Sequence, residues 1–239
     1  MQVLLPLKEF AASKQRLSGV LSSIERARLL QSMVGDVLGV LTLQRDIERI
    51  AICSRDRSAQ WLANYYGVDF IDEDRDCGGD LNGAVNAAVR DFAAQGCTDI
   101  LVAHGDLPLL SAQDLSMFLR GHNSGGEHAV TIAPDRRRGG SNLLAWRPLQ
   151  KFHVQYGVDS FARHCAQARA IDAQLTICDL PGARCDIDEP EDLLLMLAQT
   201  TDSAAHNTVT FLYESGIAER LQSLQLSANN AAGENHECA

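Results

Sequence analysis

The sequence lacks a long apolar segment, since no run approaches the roughly 18 residues that a membrane-spanning helix needs. Its first ten residues, MQVLLPLKEF, also lack the basic start of a secretory signal, and Pro6 and Lys8 interrupt their apolar run. We therefore expect a protein that makes no contact with a membrane and that resides in the cytoplasm.

Positive charge is also scarce, because 21 Lys and Arg residues face 31 Asp and Glu residues and give a formal net charge of −10. A surface that binds nucleic acid needs a basic face to neutralise backbone phosphates. Nucleic acid is therefore not an expected partner. An anionic ligand would have to be attracted by a local group of cations or by a metal ion.

Several catalytic and metal-binding motifs are missing. The chain has no G-x-x-x-x-G-K-[ST], no G-x-G-x-x-G after a strand and no G-x-S-x-G, which argues against P-loop ATPases, NAD-dependent dehydrogenases and α/β-hydrolases. The seven cysteines include no C-x-x-C pair, and the seven histidines form no pattern of metal ligands. Buried thiols in a reducing compartment explain the cysteines better than disulfides or zinc.

What the sequence does contain is a regular alternation of apolar runs and amphipathic segments, with 46% hydrophobic residues overall. Such alternation predicts βαβ units, hence an α/β protein whose sheet is mostly parallel and covered by helices on both faces. Two later strands, at 128–135 and 141–148, are separated only by a short RRRGG turn and are expected to form a hairpin. The sheet should therefore be partly mixed.

The chain divides by composition at about residue 200. We expect one domain over 1–199, because single α/β cores commonly reach 200 residues. Residues 200–239 form a C-terminal extension of small and polar residues, and 227–239 are predicted to be disordered.

Three carboxylates follow predicted strands. Asp106 comes at the end of ILVAHGD, and Asp186 and Asp188 alternate across Ile187 in RCDIDEPEDL, so that both should point the same way. Ligands of open α/β sheets bind at the carboxyl ends of the strands, and Mg²⁺ prefers a few carboxylate oxygens with water and phosphate as its other ligands. The alternative is that Asp186 and Asp188 cap the helix at 190 and that Asp106 merely ends a strand.

Cations and an amide are placed where a nucleotide could lie. Lys8, Lys14 and Arg16 follow the first strand, where the triphosphate would be found in this architecture, although a solvated loop is the ordinary fate of such residues. In CGGDLNGAVNAA, Gly79 allows the backbone to approach a ligand closely, and the amide of Asn82 could bind a base or a ribose. A plain turn between a strand and a helix is the alternative.

Six segments together resemble the 2-phospho-L-lactate guanylyltransferase family, whose members serve the biosynthesis of the deazaflavin coenzyme F-420. The resemblance covers about residues 1–199 and leaves the tail outside. Its segments, in chain order, are LPLKEFAASKQRLSGVLSSIERARLLQSMVGDVL, DLNGAVNAA, HGDLPLL, GGSNLLAW, YGVDSF and CDIDEPEDL.

The resemblance implies a nucleotidyltransferase fold of the glycosyltransferase-A type, a three-layer α/β sandwich. It also implies that GTP guanylylates a phosphorylated three-carbon acid and that pyrophosphate is released. That acid is 2-phospho-L-lactate, phosphoenolpyruvate or 3-phospho-D-glycerate, and the product would pass to a transferase that acts on the deazaflavin. The sequence leaves open whether the enzyme is a homodimer.

Residue roles carried over by motif follow from the resemblance. Three aspartates would hold Mg²⁺ on the phosphates (Asp106, Asp186 and Asp188), and three cations would serve catalysis at the triphosphate (Lys8, Lys14 and Arg16). The phospho-acid would be contacted by Asn142, Gly157 and Ser160. Many relatives have threonines where this chain has Ser141 and Asn142, and an amide there would suit the extra hydroxyl of 3-phospho-D-glycerate.

Two alternatives remain at this point. One is another nucleotidyltransferase, acting on molybdopterin or on a sugar phosphate, although LKEFAASKQRL lacks the glycines of the usual L-x-G-G-x-S-x-R-M loop. The other is a nucleotide-binding regulatory protein that keeps the fold without turnover, against which the three aspartates and the basic loop argue.

Overall fold

The computed structural model describes residues 1–73, 80–199 and 205–234. This part of the chain contains seven strands and eight α-helices. The strands are β1 (Gln2–Pro6), β2 (Arg49–Ser54), β3 (Asp69–Asp72), β4 (Ile100–Ala103), β5 (Ala129–Pro134), β6 (Ser141–Arg147) and β7 (Gln174–Ile177). The helices are α1 (Ser23–Leu41), α2 (Arg57–Tyr66), α3 (Leu81–Ala94), α4 (Ala112–Asn123), α5 (Ser160–Ala170), α6 (Pro190–Gln199), α7 (His206–Glu214) and α8 (Ile217–Glu234).

All seven strands belong to one sheet with the order β3-β2-β1-β4-β6-β5-β7. Only β6 is antiparallel to its neighbours, and it pairs with β4 on one side and with β5 on the other. The predicted α/β class, the hairpin and the mostly parallel but mixed sheet are confirmed. Because the parallel strands share one direction, the segments after β1, β4, β5 and β7 meet at one edge of the sheet.

Local sequence signals explain where the helices begin and end. Ser22 and Glu25 form a capping box at the start of α1, and Ser111 and Asp114 form another at α4. Gly67 ends α2 in the left-handed conformation, with φ of 67°, where a residue with a Cβ would be strained. By contrast, β4 ends at Ala103 and not at 106, so that Asp106 lies in the loop beyond the strand.

The sheet is covered on both faces, which makes the three layers that were predicted. One cluster of buried side chains packs α1, α2, α4 and α6 on one face, and it includes Leu5, Leu38 and Phe118. The other cluster packs α3 and α5 on the opposite face, and it includes Val102, Phe92 and Trp146. No helix in the described ranges is both long and apolar enough to span a bilayer.

The segment after residue 200 adds to the first of these clusters. Ala205, Leu212, Ile217 and Leu221 are buried in the same core as α1. The backbone of α8 continues to Glu234, so residues 227–234 are helical where the sequence predicts disorder, and 235–239 lie outside the described residues. The division into a domain over 1–199 and an extension over 200–239 stays a prediction.

One carboxylate attaches α7 to the rest of the protein. Asp36 of α1 accepts hydrogen bonds from the backbone N–H groups of Asn207 (2.8 Å) and Thr208 (3.0 Å) and from the Thr208 hydroxyl (2.6 Å). It thereby satisfies N–H groups in the first turn of α7, a role that a local N-cap residue usually has.

We predict that Asp36→Ala lowers the free energy of unfolding by about 1–3 kcal/mol, because the N–H groups at the start of α7 lose their acceptor. Urea denaturation would measure the loss. Asp91→Ala, which removes an exposed carboxylate from α3, is the matched control and should change stability by less than about 0.5 kcal/mol. Equal stability of the two variants would contradict the role assigned to Asp36.

Candidate active site

The predicted aspartates are brought together at the edge of the sheet where the parallel strands end. Asp106 follows β4, while Asp186 and Asp188 lie between β7 and α6. The backbone N–H of Ile187 donates to the carbonyl of Asp106 at 3.2 Å and joins the two segments. Because Ile187 is fully buried, its two acidic neighbours are left on the side that faces Asp106.

Lys14 lies between two of these carboxylates. Its ammonium contacts Asp106 Oδ2 at 2.5 Å and Asp188 Oδ1 at 2.8 Å, and its side chain is only 6% exposed. Burial alone would lower the pKa of Lys14, but the charges and hydrogen bonds of the two aspartates outweigh it and raise that pKa. For a carboxyl group the effect of burial is the opposite, and burial alone would raise the pKa of Asp106. The Lys14 charge nevertheless holds that pKa below its usual value. Both groups are therefore ionised.

The loop that carries Lys14 is held by residues that the sequence analysis missed. Arg26 of α1 is buried and donates from Nε to the Ser13 carbonyl at 3.2 Å and from Nη1 to the Leu21 carbonyl at 3.0 Å. Asp56 Oδ2 accepts from the N–H of Phe10 at 2.7 Å, while its other oxygen caps α2. The sequence does contain one indication of this role, because Arg26 stands among the apolar positions of α1, where a charged residue needs polar partners.

Lys14 itself has a left-handed backbone, with φ of 53° and ψ of 43°. A residue with a side chain occupies this region at an energetic cost, and such residues cluster at functional sites. The two contacts of Arg26 and the burial of Leu17 fix the loop in this shape. The strained residue is thus the one that carries the buried ammonium.

Asp186 has a different environment from Asp188. Its Oδ1 accepts from Asn142 Nδ2 at 3.2 Å, and the same amide nitrogen donates to the Ala183 carbonyl at 2.9 Å. Burial and the nearby charge of Asp106 raise the pKa of Asp186 to about 6. At the start of α6, it is Asp192 Oδ2 that accepts from the N–H groups of Asp188 and Glu189. The carboxylate of Asp186 is thus bound to the Asn142 amide and that of Asp188 to Lys14, and neither is seen to accept from an N–H of the first turn of α6 among the described hydrogen bonds.

The described residues do not form a complete metal centre by themselves. No group of three or more His, Cys, Asp or Glu side chains among them is arranged to hold a metal ion. Asp188 is engaged by Lys14 and lies 3.7 Å from Arg16. Asp106 Oδ1, by contrast, is buried without a hydrogen-bond partner. An orphaned carboxylate oxygen beside Asp186 suits a hard cation that takes most of its ligands from phosphate and water.

The remaining residues predicted for the nucleotide have varied surroundings. Lys8 is exposed just past β1, and Arg16 is 67% exposed and contacts Glu189 Oε1 at 3.5 Å. Asn82 is bound to protein: it donates to the Tyr156 carbonyl at 3.1 Å and accepts from the Tyr156 N–H at 2.6 Å. Gly79 lies outside the described residues. The nucleotide-binding role of Asn82 stays a prediction, and its visible role is to hold the segment at 156.

The residues predicted to contact the acid lie near the start of β6. Asn142 is the second residue of this strand, Gly157 has a φ of 121° that disfavours any side chain, and the N–H of Ser160 donates to the Gly157 carbonyl at the start of α5. Behind them, His164 Nε2 accepts from the Gln155 N–H at 2.8 Å. His164 Nδ1 therefore carries the proton and donates to the Ser141 hydroxyl at 2.9 Å.

Arginines of the β5–β6 hairpin line an adjacent cleft of about 140 Å³, which Asp186, Asp188 and Arg16 also line. Arg136 contacts Asp192 at 3.2 Å, and Arg137 lies 3.7 Å from Glu189. The side chains of Arg136 and Arg137 are exposed, and they lie against the segment that carries Asp186 and Asp188.

Comparison with known proteins decides the family. A family model described as "Guanylyl transferase CofC like" matches residues 1–222. The chain belongs to this guanylyltransferase family. The match extends past residue 199, where the resemblance was expected to end, and takes in α7 and the beginning of α8. The resemblance to this family, the enzyme class and the nucleotidyltransferase type of fold are confirmed.

Individual relatives carry three substrate names. A phosphoenolpyruvate guanylyltransferase from Roseiflexus castenholzii is 36% identical over 203 residues, which cover 84% of this chain and 90% of the relative. A 2-phospho-L-lactate guanylyltransferase from Methanothermobacter thermautotrophicus is 33% identical, covering 80% and 81%. A 3-phospho-D-glycerate guanylyltransferase from Phenylobacterium zucineum is 32% identical, covering 80% and 87%. The three identities are too similar to indicate which acid this chain uses.

Solved structures agree on the fold of this guanylyltransferase. A chain named as a nucleotide-diphospho-sugar transferase from Desulfovibrio desulfuricans G20 superposes with a TM-score of 0.72 at 17% identity, covering 92% of this chain and 97% of that one. A 4-diphosphocytidyl-2C-methyl-D-erythritol synthase superposes with a TM-score of 0.59 at 10% identity, covering 83% and 97%. At these identities the likeness shows the fold alone.

We predict that His164 makes stability depend on pH. Burial lowers its pKa to about 4, whereas the unfolded chain takes up a proton near 6.5. The stabilising effect of the neutral imidazole is therefore complete above pH 6.5 and is lost as the pH falls from 6.5 to 4, by up to about 3 kcal/mol. Urea denaturation across this range should show the loss. In His164→Gln the slope should flatten, while in His153→Gln, which changes an exposed histidine, it should persist.

Proposed function

We propose that this guanylyltransferase transfers GMP from GTP to a phosphorylated three-carbon acid and releases pyrophosphate. The observation that carries the proposal is the buried Lys14 ammonium between Asp106 and Asp188, with Asp186 alongside, in a chain of the guanylyl transferase family. The relatives named for phosphoenolpyruvate, 2-phospho-L-lactate and 3-phospho-D-glycerate supply the class of acceptor.

Repulsion is the main obstacle to this reaction, because both reactants are highly anionic. An oxygen of the acid's phosphate attacks the α-phosphorus of GTP, a new P–O–P bond forms, and the bond to the β-phosphate breaks as pyrophosphate leaves. The attacking phosphate monoester is already ionised near neutral pH, since its second pKa is about 6. No general base is needed, and catalysis consists of positioning the reactants and of stabilising the negative charge.

The basic loop supports the charge that develops on the leaving group. Lys14 is held at a fixed position by two carboxylates, so it can offer a preorganised positive charge without reorganising during the reaction. Arg16 and Lys8 are exposed at the same edge of the sheet and can reach phosphate oxygens from solvent. Arginine can bind such oxygens through two parallel hydrogen bonds.

Asp106 and Asp186 are the residues that would hold Mg²⁺. The unpartnered Oδ1 of Asp106 and the half-buried carboxyl of Asp186 provide oxygens without competing protein donors, apart from the Asn142 amide. When bound, Mg²⁺ would neutralise charge on the phosphates and restrict their orientation. Asp188 serves the same site through its contact with Lys14, and its own role as a metal ligand stays a prediction.

The acid would occupy the space near Asn142, Gly157 and Ser160, on the β6 side of the aspartates. Its product would then pass to a transferase that acts on a deazaflavin, within the biosynthesis of coenzyme F-420. A cytoplasmic location fits a reaction that consumes GTP. The homodimer stays an open part of the proposal.

The decisive experiment incubates the protein with GTP, Mg²⁺ and each of the three acids and follows the release of pyrophosphate. A deazaflavin transferase in the mixture would consume the guanylylated product and so keep the reaction running forward. We expect release with at least one acid and none with GTP alone. Background rates with all three acids would contradict the proposal.

We predict that Asp106→Asn lowers the rate of pyrophosphate release at least about a thousandfold, because it removes both the metal ligand and a partner of Lys14. Asn has nearly the same volume, so the circular dichroism spectrum should not change. Asp91→Asn, on the surface of α3, is the matched control and should keep full activity. A rate for Asp106→Asn within tenfold of the wild type would show that this carboxylate is not a ligand.

A further inference from the structure

Three buried side-chain atoms beside the proposed site have no hydrogen-bond partner. They are Nε2 of His104, Oη of Tyr156 and Oδ1 of Asp106, and among the described residues the only other such atom is Oε1 of Gln2. The proposed metal accounts for Asp106. Neither His104 nor Tyr156 has been assigned a role so far, although Tyr156 is only 8% exposed. A buried polar atom without a partner is unfavourable unless a ligand satisfies it.

The two orphaned groups are neighbours in space. The rings of His104 and Tyr156 lie with their centroids 5.0 Å apart, although 52 residues separate them in the chain. The backbone N–H of His104 donates to the carbonyl of Asn142 at 3.2 Å, so His104 lies beside the start of the adjacent strand β6. Tyr156 immediately precedes Gly157. The pair thus lies between Asp106 and the residues proposed to contact the acid.

Several contacts hold the pair in place. Asn82 binds both backbone polar groups of Tyr156, and Asn86, one turn later on α3, binds both backbone polar groups of Val154. The ring of Tyr156 also meets the edge of His164 at 5.2 Å. A ligand hydroxyl at this position would therefore meet two prearranged polar atoms, and a few precisely placed polar groups are what confer specificity on small-molecule sites.

The chemistry of the pair favours a neutral hydroxyl group. Burial raises the pKa of Tyr156, so its phenol remains a donor. An alcohol accepts this hydrogen bond and donates to an unprotonated Nε2 of His104, or it accepts from both groups if Nε2 carries the proton. A carboxylate would need both groups as donors and would also approach the orphaned oxygen of Asp106. The hydroxyl is satisfied in either tautomer and avoids that repulsion.

We propose that His104 and Tyr156 bind the free hydroxyl of the acceptor and thereby select a hydroxylated phospho-acid, namely 3-phospho-D-glycerate. This inference rests on the proposed function and specifies its substrate. Phosphoenolpyruvate and 2-phospho-L-lactate have no free hydroxyl, because their only such oxygen carries the phosphate. Either acid would leave the two buried groups unpaired. A site built to bind a hydroxyl discriminates strongly against analogues that lack it.

The test compares 3-phospho-D-glycerate with 3-(phosphonooxy)propanoate, which differs from it only in lacking the hydroxyl. Pyrophosphate release gives kcat/KM for each acid. We expect the wild type to prefer the hydroxylated acid roughly ten- to a hundredfold. In Tyr156→Phe, kcat/KM should fall by about that factor for 3-phospho-D-glycerate and by less than about threefold for the analogue. The preference should nearly vanish.

Two further variants separate binding from folding. Tyr65→Phe removes the hydroxyl of an exposed tyrosine on α2 and should keep the wild-type preference. His104→Gln keeps a polar group near the position of Nε2 and should retain part of the preference, whereas His104→Leu should lose it. A purely structural role for the pair would lower kcat/KM for both acids equally.

The outcomes distinguish this inference from the proposed function. If the wild type releases pyrophosphate but does not prefer the hydroxylated acid, or if Tyr156→Phe lowers both rates equally, the inference is wrong and the guanylyltransferase activity stands. If no acid, including phosphoenolpyruvate and 2-phospho-L-lactate, releases pyrophosphate, both proposals fail together.

Discussion

The buried contact of Lys14 with Asp106 and Asp188 is the constraint on which the site depends. Three segments meet there: the loop after β1, the loop after β4 and the segment before α6. Removing an ammonium from water is unfavourable unless nearby carboxylates compensate the lost hydration. The opposite charges of Lys14 and the two aspartates therefore stabilise one another in this position. Much of the surrounding structure serves this contact, from the clamp of Arg26 on the loop to the backbone hydrogen bond between Ile187 and Asp106.

The sequence was sufficient to predict most of the fold because its signals are local. The capping boxes at Ser22 and Ser111, the glycine at 67 and the alternation of apolar runs each act over a few residues. The three aspartates were also identifiable, since they follow strands whose ends must meet at one edge. The exact end of β4 could not be predicted, because nothing in ILVAHGD distinguishes a residue inside the strand from one just past it.

The parts that could not be predicted depend on contacts between distant segments. Asn82 and Tyr156 are 74 residues apart and bind through an amide and a backbone, a pairing that leaves no pattern in either segment. The pairing of His104 with Tyr156 could not be predicted either, because in the sequence His104 looks like an ordinary strand residue. Arg136 and Arg137 resemble residues of a solvated turn, and only the packing of the hairpin on the 184–192 segment shows their acidic partners. Helix α7 was missed because its capping carboxylate lies on α1.

The reversed direction of β6 has a further consequence for how such an enzyme can diversify. An antiparallel strand brings its first residues, and not its last, to the edge where the other strands end, so Ser141 and Asn142 lie at this edge directly after the hairpin turn. Both are buried, whereas residues 136–138 of the turn before them are exposed. Exposed turns accept substitutions more readily than strand interiors do. The turn can therefore vary in sequence next to the proposed acceptor site, while the buried start of β6 and the parallel strands stay as they are.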